Sequence, residues 1–114
     1  MRPRIRTAFV LIGVCLGLGF WVQPGTVAAG GYVTEYSIGA KPLNIAVESP
    51  GRAWFTLPDA NAIGMLDVSD PANPSYVQYD LPNPDSQPYD IVYHAGSLWF
   101  TEKDGNRIGQ IDGT

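Results

Sequence analysis

One phrase is written twice in this chain. Residues 53–68 read AWFTLPDANAIGMLDV, and residues 98–113 read LWFTEKDGNRIGQIDG. Trp54 and Trp99, Phe55 and Phe100, Thr56 and Thr101, Asn61 and Asn106, Ile63 and Ile108, Gly64 and Gly109, and Asp67 and Asp112 all stand 45 residues apart. So many identities at one offset are internal repetition. A repeat of this length restricts the fold to supersecondary units stacked side by side.

The units are made of strands. In the first period the runs NIAV (44–47), AWFT (53–56), IGMLDV (63–68) and YVQYDL (76–81) are rich in aromatic and branched apolar residues. In the second, DIVY (90–93), LWFT (98–101) and IGQID (108–112) follow the same order. Turn-forming Gly, Pro, Asn and Asp separate them, which is the strand-and-turn pattern. Ten prolines at this spacing leave no room for a helix of useful length. Four antiparallel strands per repeat of about 40–45 residues make a β-propeller blade. A parallel β-helix would repeat after far fewer residues. An immunoglobulin-like sandwich has the right length, but its strands need not repeat and its cysteine pair is missing.

The expected fold is therefore all-β: propeller blades over 30–114, the first about 41–81 and the second about 87–114. Residues 32–38 supply a leading outer strand, because Tyr36 and Ile38 parallel Tyr79 and Leu81. About two blades cannot close a ring, since propellers have roughly four to eight. Either further blades belong to the same polypeptide or several copies assemble. The sequence stops at IDGT, where another outer strand should begin, which predicts an amino-terminal piece of a longer protein.

Residues 1–29 stand apart from the repeat. Arg2, Arg4 and Arg6 precede an uncharged run from Thr7 to Val22, and Val27 and Ala29 occupy the −3 and −1 positions of a cleavage site. This pattern predicts a cleaved signal peptide and a secreted or periplasmic product. The apolar run is shorter than the span a membrane anchor needs, so no membrane association is expected after cleavage. Cys15, the only cysteine, lies within that run, leaving the exported part without a disulfide framework. Lys41, Arg52, Lys103 and Arg107 then face 11 acidic residues. Such an acidic chain is unsuited to a phosphate backbone, which excludes a nucleic-acid partner.

Candidate site residues follow from the blade layout. Asn44 and Asp90 each lie two residues after a proline and open the innermost strand, whose end should meet the mouth of the central channel. With Tyr89 they are the expected contacts for a small-molecule or peptide-like ligand. The plainer reading of Asn44 and Asp90 is a turn cap after proline. His94, the only histidine, falls in the turn HAGS and reads as an exposed turn residue. Ser97, His94 and Asp90 form a hydrolytic triad only on paper, without a G-x-S-x-G elbow. Glu102, Asp104 and Asp59 do not follow the calcium-loop pattern, so no metal site is expected in this chain. Trp54, Phe55, Trp99 and Phe100 read as core, one ring of each pair facing each neighbouring blade. Asn61 and Asn106 read as turn residues bonding their own backbone. Gly64 and Gly109 read as sites of close strand approach. Asp104-Gly105 reads as the source of positive φ in a tight turn.

KPLNIAVESPGRAWFTLPDANAIGMLDV (41–68) and QPYDIVYHAGSLWFTEKDGNRIGQID (87–112) resemble blades of the streptogramin lyase, or virginiamycin B lyase, family. The family repeat runs approximately P-x-G-I-x-V-x-x-D-G-x-x-W-F-T-E-x-x-x-N-x-I-G-x-I. Leu57 departs from the acid of W-F-T-E, and HAGS departs from the usual P-D-G-x turn. The resemblance implies a seven-bladed propeller. It also implies linearisation of a cyclic depsipeptide antibiotic by elimination, with a magnesium ion and a histidine base. Removing a proton beside a carbonyl calls for a base of near-neutral pKa and a hard cation to hold the developing charge. The family's catalytic histidine and magnesium-binding carboxylate come from later blades and match no position here. The chain is thus expected to be an exported binding scaffold without a complete active site of its own. Two alternatives remain: a magnesium-dependent lyase completed by further blades, and a propeller lactone hydrolase.

Overall fold

A computed structural model describes residues 25–27, 31 and 33–112. The proposed leader, 1–29, lies outside the described residues except for 25–27. All regular structure among the described residues is strand. Thr26–Val27 (β1) and Thr34–Glu35 (β2) form a small antiparallel ladder. Ile45–Ser49 (β3), Arg52–Leu57 (β4), Ala62–Asp67 (β5) and Ser75–Asp80 (β6) form one antiparallel sheet in sequence order. Pro88–His94 (β7), Ser97–Glu102 (β8) and Arg107–Asp112 (β9) form a second. These are blade sheets of a propeller, one of four strands and one of three among the described residues.

The two sheets stack through their aromatic stripes. Because strand residues alternate between faces, Trp54 and Phe55 point to opposite sides of the first sheet. Trp54 joins Ala46, Ile63, Leu98 and Phe100 in a core between the sheets, with Ile91, Tyr93 and Ile111 packed around it. Phe55 turns the other way and is buried with Leu57, Ala62 and Tyr76 beneath Ile38 and Ala40. Ile38 and Ala40 therefore cover the Phe55 part of the first sheet's leading face, while Ile45 and Val47 on that face stay exposed and β2 pairs only with β1. Trp99 departs from the expectation of core. It is 39% exposed, because no described element covers its side of the second sheet.

The repeated glycines make room for the repeated phenylalanines. Gly64 is the cross-strand partner of Phe55, and Gly109 of Phe100. A Cβ on Gly64 would sit 2.3 Å from the Phe55 ring, and one on Gly109 2.1 Å from the Phe100 ring. The ring thus lies flat across its glycine partner. On its own side of the sheet, Phe55 also stacks on Tyr76 at 6.1 Å between ring centres.

The β8–β9 turn is not built as Asp104-Gly105 suggested. Gly105 is not among the positive-φ residues, whereas Asn106 has φ 51° and Asn61 has the same value in the first blade. Each loop spans four residues, and the left-handed residue closes it; asparagine tolerates that conformation. The β7–β8 hairpin does use a two-residue turn, with Ala95 at 50° and Gly96 at 84°. Both central residues with positive φ are the requirement of a type I′ turn.

Asn61 does not bond its own backbone through its side chain. Its Nδ2 donates to the carbonyl of Asn83 (2.8 Å), and its Oδ1 accepts from the Ser86 N–H (2.8 Å). It clamps the connection between blades. Ser86 is fully buried there, and its carbonyl accepts from the Asp104 and Gly105 amides of the second blade.

At the far end of the first sheet, Arg52 donates from Nε and Nη2 to Asp67 Oδ2 (3.1 and 3.0 Å) and from Nη1 to Glu48 Oε1 (3.3 Å). Glu48 in turn accepts the Trp54 indole N–H at 2.8 Å. The Ser69 hydroxyl and N–H, together with Arg52, hold the Asp67 carboxyl down to about 2, against an ordinary value of 3.8. A depressed folded-state pKa stabilises above the unfolded value and ceases to do so as pH falls through the folded one. The thermal midpoint should therefore drop as pH goes from 3.8 towards 2. An Asp67→Asn variant, melted over the same pH series, should show a shallower drop.

Candidate functional site

The opening ends of the two innermost strands meet, and a threonine builds the junction. Thr56, fully buried, follows the two aromatics of β4. Its hydroxyl accepts the Asn44 N–H (3.1 Å) and donates to the Tyr89 carbonyl (2.9 Å) in the next blade. Asn44 Nδ2 donates to the same carbonyl at 2.7 Å and to Asp90 Oδ1 at 3.2 Å. Thr101 repeats half of this, its hydroxyl accepting the Asp90 N–H at 2.9 Å. Asn44 and Asp90 are thus equivalent positions, although 46 residues separate them rather than 45. The first hairpin absorbs the extra residue in a bulge between Val47 and Ser49.

The three residues picked from sequence, Asn44, Tyr89 and Asp90, come together. The Asp90 side chain is exposed at this junction with its second carboxylate oxygen making no hydrogen bond to described residues. The Tyr89 ring is exposed beside it, and Lys103 Nζ lies 5.8 Å from its centre. The patch offers a hydrogen-bond acceptor, a phenol and an aromatic face. Thr56 was not singled out from sequence. A hydroxyl recurring strictly inside an apolar strand was the available signal, since a buried polar group must be partnered.

The other candidates separate. His94 is exposed at the end of β7, opposite from Asp90 on that strand. The Ser97 hydroxyl is engaged with Asp112 at 2.6 Å, so Ser97, His94 and Asp90 form no triad. Glu102 is buried and paired with Arg107 (3.2 Å), and Asp59 lies 3.7 Å from Lys41. Among the described residues no group of three or more His, Cys, Asp or Glu could hold a metal ion. The described residues offer no such cluster for the magnesium that the lyase resemblance implies.

Leu57 is explained by its cross-strand partner. Leu57 pairs with Ala62 as Glu102 pairs with Arg107. The first blade has exchanged both members of an ion pair for apolar residues. Both are buried beneath Ile38 and Ala40, where charge would be costly to desolvate.

Three solved structures align with these sheets. A virginiamycin B lyase from Staphylococcus aureus, selenomethionine substituted, is 40% identical with a TM-score of 0.61, over 76% of this chain and 30% of its own. A catalytically inactive form of that enzyme with Quinupristin is 37% identical, TM-score 0.62, over the same shares. A streptogramin B lyase is 32% identical, TM-score 0.56, over 62% of this chain and 23% of its own. The described sheets are similar to blades of these lyases, which supports a propeller related to streptogramin B lyase. The chain spans less than a third of the length of these lyases. Neither a family profile nor a curated protein sequence matches the chain.

Proposed function

We propose that these streptogramin-lyase-type blades serve an exported propeller as part of its ligand-contacting surface, with Asn44, Tyr89 and Asp90 meeting a peptide-like small molecule. The observation that carries this reading is the clasp across the two inner strands, which gathers an acceptor and an aromatic face at one exposed point. The leader sequence supports export. The likeness to an inactive lyase with Quinupristin supports the class of ligand.

Quinupristin is therefore the probe. Titrated into the chain with tryptophan fluorescence as readout, it should bind saturably. Tyr89→Ala should weaken binding by roughly tenfold, the effect of about 1.4 kcal/mol. No saturation at millimolar probe would overturn the reading. The similarity to virginiamycin B lyase also supports a second reading, in which further blades complete a magnesium-dependent lyase. A third is lactone hydrolysis. Incubating chain, probe and magnesium and following the product separates all three. Binding leaves the probe intact, elimination opens its ring without changing its mass, and hydrolysis adds one water.

A further inference from the structure

Of the basic residues Lys41, Arg52, Lys103 and Arg107, all but one are ion-paired. Lys41 lies 3.7 Å from Asp59, Arg52 3.0 Å from Asp67, and Arg107 3.2 Å from Glu102. Lys103 makes no ion pair with a described residue, and its ammonium lies over the Tyr89 ring, 5.8 Å from the centre. The backbone prepares this placement. The Lys103 N–H donates to the Gln87 carbonyl at 3.0 Å, which fixes the start of the β8–β9 turn beside the strand that carries Tyr89. The pairing of β7 with β8 also shifts register between Pro88 and Ile91. A bulge of this kind re-aims side chains, and Tyr89 and Asp90 are both exposed there.

Given Tyr89 and Asp90 as ligand contacts, a reading on which this one rests, we propose that they form an ammonium site. It reads a free amino group on the peptide-like ligand, and Lys103 is its resident competitor. A cation is attracted by an aromatic face and by an open carboxylate oxygen. Both are present: the Tyr89 ring already carries the protein's own ammonium, and the second Asp90 oxygen makes no hydrogen bond to described residues. The 11 acidic residues outnumber the bases around them, and such an excess draws cations in. A ligand amine takes the place of the lysine head, whose long exposed stem can swing into water. An anionic group at the same spot would be opposed by the Asp90 carboxylate.

Two probes test this: phenylalanyl-leucinamide with its amino terminus free, and the same dipeptide amide acetylated. Each is titrated into the chain beside Quinupristin at about pH 6, where an α-amino group is protonated. The Asn44 and Asp90 amide signals in NMR supply the readout, and the dispersion of the spectrum verifies the fold of each variant. The free amine should bind roughly threefold to fivefold more tightly than the acetylated form, and added salt should shrink that preference. Lys103→Gln clears the ring face and should widen the preference by roughly threefold. Asp90→Asn keeps an oxygen for the Asn44 donor but loses the charge, and should nearly abolish the preference. Equal binding of the two dipeptides, or tighter binding of the acetylated one, overturns the proposal. So does weaker binding of the free amine to Lys103→Gln, which would show the lysine itself holding the ligand. If Quinupristin still saturates in those cases, the ligand-contact reading stands without an ammonium site. If neither Quinupristin nor either dipeptide binds, that reading fails and the ammonium site fails with it.

Discussion

Replacing Gly64 with alanine should destabilise the chain by about 3 kcal/mol, the upper part of the usual range for overpacking. The added Cβ would fall 2.3 Å from the Phe55 ring, closer than any relaxed contact. The ring has nowhere to go, because it is buried and stacked on Tyr76. A flexible neighbour behaves differently. At Gly105 the atom met at 2.7 Å is the Arg107 guanidinium, which can swing away, so Gly105→Ala should cost below about 1 kcal/mol. Urea unfolding of both variants measures the contrast. Phe55→Leu in the Gly64→Ala background should recover part of the loss, and non-additivity in that double-mutant cycle would locate the clash in this pair. Equal costs for the two glycine variants would refute the assignment.

Thr56→Val should be the second large effect, about 2 kcal/mol. Valine keeps the shape and removes the hydroxyl, so the Asn44 N–H loses its acceptor and the Tyr89 carbonyl one of its two donors. The position is fully buried, and water cannot replace the missing partner. Thr56→Ser should restore most of the stability. Thr101→Val removes a single bond at a half-buried position and should cost less. Hydrogen exchange at the Asn44 amide supplies a local readout: protection should fall in Thr56→Val and return in Thr56→Ser. Unchanged protection in the valine variant would show that the hydroxyl does not brace the blades.

The repeat made the fold legible. Identities at one interval located β4, β5, β8 and β9, and apolar runs following a proline located β3, β6 and β7. What the repeat could not reveal is where a residue finds its partner. Asn61 and Asn106 share a left-handed backbone, yet the Asn61 side chain reaches the connection at Asn83 and Ser86, and no local pattern announces that distance. Positive φ was assigned to Gly105 on residue type, although asparagine closes the four-residue loop. Trp99 was read as core by analogy with Trp54, but burial depends on what lies opposite, which a strand's own sequence does not contain. The meeting of Asn44, Tyr89 and Asp90 was legible because proline marks the start of each inner strand. The threonine that joins them was hidden in plain view, as part of an aromatic motif.

The exchange of Glu102 and Arg107 for Leu57 and Ala62 has a consequence for how such a molecule can be rebuilt. A chimera carrying the second unit twice would thrust a carboxylate and a guanidinium beneath Ile38 and Ala40. The two units are not interchangeable cassettes. Any recombinant shuffling of them must transplant the overlying residues 36–40 together with the strand pair.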